Sequence, residues 1–324
     1  MSISLLRREL IYSCMALLVG TTPSRASGHF PVTVRHALGE TTITRSPVRV
    51  ITLGWSGEDV VIALGQVPVA MPRYRFFDSG IFPWNEVRVG SSKPALLDGA
   101  IDFEKIAALR PDLILGVYSG IDLVSYKRLS SIAPTVVYRS APWEADWIEQ
   151  TTIIGEALGK GEKARGLIAE TEGMLRRLGT DNPVLQSKTF AFGTYFPGGE
   201  GVVVYLPSDP RVAALTKLGL ETSAQINALA AAHQGSSSIT ISNEQTSSID
   251  ADVLIMWYGP GARAAAEAQP LFKMLDAVRR GSYVALEDPV DVWSTSALSV
   301  LSIPYGFPRF VPRLAEAAAR ANGQ

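Results

Sequence analysis

The order of apolar and polar positions along the chain repeats between residues 101–118 and residues 241–258, which align without a gap. Each copy begins with a pattern typical of a short helix, with Glu104 or Glu244 in its first turn. A turn that contains an aspartate follows, and then an apolar run that predicts a buried strand. Because such internal repetition is typical of duplicated supersecondary units, we predict two similar α/β lobes.

The two predicted strands end at Tyr118 and Tyr258. Ligands of open α/β sheets bind beyond the carboxyl ends of the strands, often where the strand order reverses. We therefore expect the two lobes to face each other across a cleft, with these tyrosines at its walls.

The remaining pattern agrees with this architecture. A hairpin is predicted for residues 32–44, and the strand–helix–strand order of residues 48–71 is typical of a parallel sheet. Residues 162–178 predict one helix, roughly 25 Å long at about 1.5 Å per residue. The predicted fold class is α/β, with two Rossmann-like lobes of mainly parallel sheets joined by a single long helix. The predicted domains are a signal peptide (1–26), an N-terminal α/β lobe (27–142), a helical linker (143–180) and a C-terminal α/β lobe (181–324).

The N-terminus predicts export. Arg7 and Arg8 precede an apolar stretch over residues 10–20, and small residues around Ala26 fit a cleavage site. The apolar stretch is too short to span a bilayer stably. General secretion and twin-arginine export both stay open. Cys14, the one cysteine of the sequence, lies in this segment, so the mature protein is expected to use neither disulfides nor thiolate chemistry.

The composition argues against a nucleic-acid-binding protein and against a disordered chain. With 30 basic and 31 acidic residues the formal net charge is -1, and no dense basic run predicts a nucleic-acid partner. The sequence is 47% hydrophobic and 19% charged, which is typical of a well-packed globular protein. Its 324 residues suffice for two domains with separate cores.

The chain lacks the usual signatures of an enzyme. It has no nucleophile elbow, no phosphate-binding loop and no glycine-rich dinucleotide turn. His29, His36 and His233 belong to no spaced ligand set. We therefore predict no catalytic residue, no metal site and no cofactor. The acidic group at 287–291 motivates one alternative, an exported hydrolase.

Aromatic and basic residues follow the predicted strands. Aromatic rings offer large rigid contact areas, and arginines bind anionic oxygens, so this set is suited to a bulky, oxygen-rich and partly apolar ligand. Residues 72–84 are predicted as a surface loop over the strand ends. The candidate ligand-binding residues are Trp55, Arg73, Arg75, Tyr118, Tyr195, Tyr205, Trp257 and Trp293.

Four segments, residues 50–69, 102–114, 129–136 and 270–279, resemble the substrate-binding proteins of ABC importers for ferric siderophores. The resemblance covers nearly the whole mature chain. It implies a monomeric periplasmic protein that captures an Fe(III)–siderophore complex in a shallow cleft and delivers it, chemically unchanged, to the transmembrane subunits of an inner-membrane permease. It also implies that Glu104 and Glu244 form salt bridges with arginines of that permease.

The resemblance leaves the ligand open. Trp55, Arg75, Tyr118 and Trp293 lie in segments comparable to those that bind hydroxamate siderophores. A catecholate complex would instead use Arg73 and Arg75, together with Arg139 or Arg211. Haem or cobalamin bound on the same scaffold is a further alternative, as is a sensor that no longer serves a transporter.

Overall fold

The computed structural model describes residues 30–199 and 201–321 and contains two α/β lobes. The predicted signal peptide, Cys14 and His29 lie outside the described residues. The predicted fold class is confirmed. The domain boundaries stay a prediction.

The first lobe is built on a five-stranded parallel sheet. An antiparallel hairpin, β1 (Val32–His36) and β2 (Gly39–Ile43), precedes it. The elements that follow in chain order are β3 (Val50–Thr52), α1 (Gly57–Ala63), β4 (Ala70–Pro72), α2 (Pro83–Val89), β5 (Ala95–Leu97), α3 (Phe103–Ala108), β6 (Leu113–Gly116), α4 (Leu123–Ser130) and β7 (Thr135–Val137). The strands lie in the order β5-β4-β3-β6-β7, so the order reverses between β3 and β6. A ligand site is expected beyond the carboxyl ends of those two strands.

Helix α5 (Trp147–Ala157) packs against α1 of the first lobe, and α6 (Gly161–Asp181) leads from there to the second lobe. Helix α6 is the long helix predicted from the sequence, and its 21 residues give a length of roughly 30 Å. A 3₁₀ turn at Pro183–Leu185 ends the connection. A helix of this length supports the lobes more rigidly than extended strands would.

The second lobe is built on a six-stranded mixed sheet. Its elements are β8 (Thr189–Tyr195), β9 (Gly201–Tyr205), α7 (Pro210–Thr216), β10 (Glu221–Thr222), α8 (Ala224–Ala232), β11 (Ser238–Ser242), a 3₁₀ helix (Asn243–Ile249), β12 (Val253–Trp257), α9 (Ala262–Ala268), α10 (Pro270–Met274), α11 (Asp276–Arg280), β13 (Tyr283–Leu286), α12 (Pro289–Ser296) and α13 (Ser302–Arg320). Strands β8, β10, β12 and β13 are parallel, whereas β9 and β11 run antiparallel to their neighbours.

The aspartate of each repeat copy does the same structural work. The Asp112 carboxylate accepts hydrogen bonds from the backbone N–H groups of Val48 and Arg49, at 2.9 and 2.7 Å, immediately before β3. The Asp252 carboxylate accepts bonds from the N–H and the hydroxyl of Thr189, both at 2.9 Å, at the start of β8. In both lobes the carboxylate therefore joins its own strand to the start of the parallel neighbour.

The two copies differ in their helices. The first copy forms α3, whose start is capped by the Asp102 side chain through a 2.9 Å bond from the Lys105 N–H. The second copy forms the 3₁₀ helix Asn243–Ile249, and no side chain of the described residues caps it. The predicted α-helix in the second copy is thus wound more tightly than expected.

The surface-loop prediction for residues 72–84 was wrong in part. Tyr74, Phe82 and Trp84 are 3%, 0% and 2% exposed. They pack with Ala297 and Leu301, between α12 and α13, in a small core that both lobes share. Rings of this size are favourably removed from water, and the second lobe provides the surface that covers them.

Candidate functional site

A cleft of about 770 Å³ lies at the carboxyl ends of the first-lobe strands. Its walls are the segments that follow β3, β4, β5 and β6, and Trp293 of α12 reaches it from the second lobe. Trp55 and Ser119 lie in the segments that follow β3 and β6, the two strands between which the strand order reverses. The cleft therefore occupies the position that the fold predicts for a ligand.

Trp55 is the centre of an aromatic cluster in this cleft. Its ring centroid lies 5.0 Å from that of Trp293, 5.3 Å from that of Trp143 and 6.1 Å from that of Tyr118. The Trp55 N–H donates to the Tyr118 carbonyl at 2.9 Å, which joins the segments after β3 and β6. A ligand in the cleft would contact a preformed aromatic wall.

The backbone places Trp143 in that wall. Trp143 has a φ of 63°, in the left-handed region, and its N–H donates to the Ser119 carbonyl at 3.1 Å. Its indole lies over Gly120, where a Cβ would come within 2.5 Å of the indole nitrogen. The side chain stays 44% exposed. A residue held in a rare backbone conformation next to a ligand cleft is a candidate functional residue.

Two arginines form the polar side of the cleft. The Nε atoms of Arg73 and Arg75 each lie 3.2 Å from an oxygen of Asp98, one arginine on each oxygen. The Arg73 and Arg75 side chains are 44% and 76% exposed, so both guanidinium groups keep free donors toward solvent. Lys105 also lines the cleft and donates to the Leu96 carbonyl at 3.0 Å. Asp98 thus orients the guanidinium groups of Arg73 and Arg75, whose remaining N–H donors are accessible to an anionic ligand.

Tyr118 lies where the two lobes meet. It is 7% exposed, and burial raises the pKa of its phenol to about 12. Of the nearby second-lobe charges, Arg211 lowers this pKa and Asp209 raises it. The phenol is therefore neutral at physiological pH and can donate a hydrogen bond.

The second-lobe candidates near this point bond to each other. Arg211 donates from Nε and Nη2 to the two oxygens of Asp209, at 2.7 and 2.6 Å. Its guanidinium lies 3.5 Å from the ring centroid of Tyr205, whose hydroxyl accepts a 2.9 Å bond from Trp257. The Arg211 charge is thus balanced inside its own lobe.

The structure brings Trp55, Arg73, Arg75 and Trp293 together in the cleft, with Tyr118 behind its wall. It does not bring Tyr195 there. Tyr195 lines a separate cavity of about 240 Å³ in the second lobe, where its hydroxyl lies 3.4 Å from the Gln269 amide. The ligand-binding roles of these residues stay predictions.

The acidic residues that motivated the hydrolase hypothesis have structural partners. Asp288 caps α12 through the Val290 N–H at 2.8 Å. Asp291 pairs with Arg313 at 2.7 Å, and Glu287 pairs with Arg263 at 2.8 Å. Each carboxylate is thus bound to its own lobe rather than directed at the cleft.

A family model described as periplasmic binding protein matches residues 50–289. The chain belongs to the periplasmic binding protein family. This match spans both sheets and includes the first-lobe segments that line the cleft.

Three relatives show what this periplasmic binding protein is similar to. The Fe(3+)-citrate-binding protein YfmC of Bacillus subtilis is 26% identical over 320 residues, covering 94% of this chain and 96% of YfmC. The crystal structure of PiaA from Streptococcus pneumoniae TIGR4 in complex with ferrichrome is 29% identical, with a TM-score of 0.80 over 89% of this chain and 99% of PiaA. A periplasmic solute binding protein from Mycobacterium smegmatis is 31% identical, with a TM-score of 0.77 over 89% and 98% of the two chains. These relatives are named as binding proteins rather than enzymes.

Glu104 and Glu244 are both exposed in this periplasmic binding protein. Glu104 lies in the first turn of α3, and Glu244 in the first turn of the 3₁₀ helix Asn243–Ile249. Partial positive charge at a helix start favours a carboxylate there. Both side chains are accessible to a partner.

Trp143, Phe76 and a buried acidic pair belong to the site although the sequence pattern did not predict them. Trp143 and Phe76 line the cleft and are 44% and 54% exposed. Glu58 and Asp59, both fully buried in the first turn of α1, lie beneath it. Burial, followed by the neighbouring Asp59, raises the pKa of Glu58. Acidic residues in the first turn of a helix are usually exposed. The signal for this pair was that Glu58 and Asp59 open a helix whose remaining residues are all apolar, so that it leaves them no solvent-facing side.

Within residues 30–199 and 201–321, no group of three or more histidine, cysteine, aspartate or glutamate side chains could hold a metal ion. Nor does this part of the chain contain a helix of the length and apolarity that crossing a membrane requires.

Proposed function

We propose that this protein captures a ferric siderophore or a related Fe(III) complex in the cleft and delivers it to an ABC-type permease. The observation that carries the proposal is the cleft itself, in which an aromatic cluster around Trp55 faces the guanidinium groups of Arg73 and Arg75. Its volume of about 770 Å³ falls in the range typical of small-molecule sites.

The charge of the cleft favours an anionic ligand. Arg73, Arg75 and Lys105 line it together with Asp98 and Asp102. Asp102 is engaged as the cap of α3, and Asp98 is shared by two arginines, so the free donors are cationic. Carboxylate, hydroxamate and catecholate oxygens of a ferric complex match such donors. Relatives that bind Fe(3+)-citrate and ferrichrome support the same ligand class.

The protein binds and releases its ligand without chemical change, and iron is cargo rather than a cofactor. It acts as a monomer in the periplasm after residues 1–26 are removed. The structural roles of Glu287, Asp288 and Asp291 support this proposal over that of a hydrolase.

A panel of ferric complexes tests the proposal on the purified mature protein. Three cleft tryptophans, Trp55, Trp143 and Trp293, report on occupancy by fluorescence. We expect saturable quenching and a higher thermal midpoint with at least one of ferric citrate, a ferric hydroxamate and a ferric catecholate. The iron-free chelators should give much weaker responses. If no complex in the panel changes either signal, the protein is not a ferric-siderophore binder.

Permease docking is tested separately from ligand binding. Glu104→Lys and Glu244→Lys should reduce iron uptake in the host about tenfold or more while leaving ligand affinity unchanged. The reason is that the introduced lysine would repel an arginine of the permease and oppose docking. Glu162→Lys, at a 96% exposed glutamate of α6, is the matched control. If all three variants take up iron equally well, Glu104 and Glu244 have no role in permease docking.

A further inference from the structure

A buried hydrogen bond joins the two lobes directly beneath the cleft. The Ser299 hydroxyl, between α12 and α13, donates to Asp59 Oδ2 of α1 at 2.5 Å. Asp59 is 0% and Ser299 1% exposed. Because a carboxylate buried at a lobe interface is costly unless it is well bonded, this contact calls for a functional explanation.

The side-chain oxygens of Asp59 accept three hydrogen bonds. Besides Ser299, the indole of Trp84 donates to Oδ2 at 2.7 Å and the amide of Asn85 donates to Oδ1 at 2.5 Å. Three donors thus converge on a group that in its ionised form only accepts hydrogen bonds. No basic side chain of the described residues lies within 4.0 Å of it, so it is held by neutral donors instead of by an ion pair.

On the other side of the contact, Ser299 organises the start of α13. Its Oγ accepts bonds from the N–H groups of Leu301 and Ser302, at 3.1 and 2.9 Å, and the Ser302 Oγ accepts from the Ser299 N–H at 2.8 Å. This reciprocal cap leaves the Ser299 hydroxyl proton for Asp59. The positive end of α13 therefore faces a carboxylate of the other lobe.

The same segment holds Trp293. The Ala297 N–H donates to the Trp293 carbonyl at 2.9 Å, and Ala297 and Leu301 are buried in the shared core with Tyr74, Phe82 and Trp84. The Trp293 ring packs on Trp55 and Tyr74, with centroids 5.0 and 5.5 Å apart. Helices α12 and α13 also pack closely, since a Cβ at Gly306 would lie 2.1 Å from the Ser294 hydroxyl. A shift of residues 297–301 would therefore move Trp293.

We propose that Asp59 is a positioning residue for ligand binding: through Ser299 it anchors residues 297–301 in the first lobe and so fixes Trp293 over the cleft. The inference rests on the proposed function, in that the ligand it positions for is the ferric complex. Trp293 is the side chain that the second lobe contributes to the described cleft lining, so the two walls of the cleft depend on this contact.

The test compares two buried serines of one turn. Ser299→Ala removes the bond to Asp59 together with the two capping bonds that Ser299 Oγ accepts. Ser302→Ala removes the reciprocal capping bond of the same turn without touching the first lobe, so it controls for a weakened cap. We expect Ser299→Ala to weaken affinity for the ferric complex about tenfold, as for loss of one charge-assisted hydrogen bond, and Ser302→Ala to change affinity less than about twofold. Equal effects of the two variants on affinity would overturn the inference.

A second measurement does not require ligand. The ¹⁹F resonance of Trp293 in protein labelled with fluorotryptophan is assigned by its loss in Trp293→Phe. It should shift in Ser299→Ala and stay in place in Ser302→Ala. An unchanged resonance in Ser299→Ala would refute the positioning role.

Asp59→Ala removes the acceptor on the first-lobe side of the contact. The Ser299 hydroxyl then has no carboxylate to bond, so we expect the Trp293 resonance to shift as in Ser299→Ala. Adding Ser299→Ala to Asp59→Ala should cause little further shift, because both act through one contact. Additive shifts would contradict this. If the wild-type protein binds no ferric complex, the proposed function fails, while the resonances still decide whether Asp59 positions Trp293.

Discussion

The strand ends of the two lobes differ although their repeats align. In the first lobe, the segments after β3, β4, β5 and β6 open into the cleft with exposed aromatic and basic side chains. In the second lobe, the corresponding side chains satisfy one another. Trp257 donates to Tyr205, and the Tyr258 and Tyr283 hydroxyls lie 2.6 Å apart. One duplicated unit therefore supports an open binding surface in one lobe and a closed hydrogen-bonded surface in the other.

The difference shows which parts of the repeat serve the fold. Asp112 and Asp252 make the same kind of bond to the start of the neighbouring parallel strand, so this part of the repeat serves the sheet in both lobes. Tyr118 and Tyr258 are both buried but differ in their neighbours, since Tyr118 packs against Trp55 of the cleft whereas the Tyr258 hydroxyl lies beside that of Tyr283. We therefore expect substitution of either aspartate to destabilise the protein to the same extent. Substitution of aromatic residues at the strand ends should weaken ligand binding in the first lobe more than in the second.

The largest expected effect is on affinity. Trp55 contacts three aromatic rings at the cleft, so Trp55→Ala should weaken binding of the ferric complex about a hundredfold, as for truncation of a central aromatic anchor. Trp257→Ala in the second lobe should weaken it less than about tenfold, because its indole N–H is already bonded to Tyr205. Titration by calorimetry measures both. Equal losses would mean that the second lobe forms an equivalent wall.

The buried acids give the next contrast. Asp209 and Asp291 of the second lobe are paired with arginines, whereas Glu58 in the first lobe accepts a 2.7 Å bond from the Tyr74 hydroxyl. Burial, then Asp59, raises the pKa of Glu58 above its ordinary value of 4.5. The folded protein thus holds a proton that the unfolded chain releases. The free energy of unfolding should therefore fall as pH rises from the ordinary pKa of 4.5 to the raised pKa of about 8, by at most about 1.4 kcal/mol per pH unit.

Urea unfolding at a series of pH values checks this. Glu58→Gln should remove that part of the decrease, because glutamine does not titrate. Tyr74→Phe should extend the decrease to higher pH, since it deletes a hydrogen bond that lowers the pKa of Glu58. A Glu58→Gln profile that parallels the wild-type profile would show that Glu58 is ionised in the folded protein.

Local patterns predicted much of this fold. The hairpin, α1, the long helix α6 and the strands of both repeat copies follow from apolar periodicity within short segments, whereas the 3₁₀ helix of the second copy does not. The position of Trp143 could not be predicted in that way, because a left-handed φ at tryptophan is set by its surroundings. The Asp59–Ser299 bond joins residues far apart in the chain, so no local pattern encodes it. Long-range contacts of this kind decided which aromatic residues line the cleft and which are core.

The repeated aspartates provide a test of equivalence. Asp112→Ala and Asp252→Ala each remove hydrogen bonds between a carboxylate and the start of a neighbouring strand. We expect each to lower the free energy of unfolding by about 2 kcal/mol, with ligand affinity little changed. Asp112→Asn and Asp252→Asn keep one acceptor oxygen and should cost less. If only one alanine variant is destabilised, the repeat has diverged in its strand connection as well.

The smallest effects are expected at the two tyrosines, where they should differ in kind. Tyr258→Phe removes the hydroxyl that bonds to Tyr283, so it should lower stability by about 1 kcal/mol and leave affinity unchanged. Tyr118→Phe removes a neutral phenol behind Trp55 of the cleft wall, so it should weaken ligand binding about threefold with little effect on unfolding. Thermal unfolding and calorimetric titration of both variants separate the two outcomes. A loss of affinity in Tyr258→Phe, or its absence in Tyr118→Phe, would mean that the strand-end tyrosines do not divide ligand binding and core packing between the lobes.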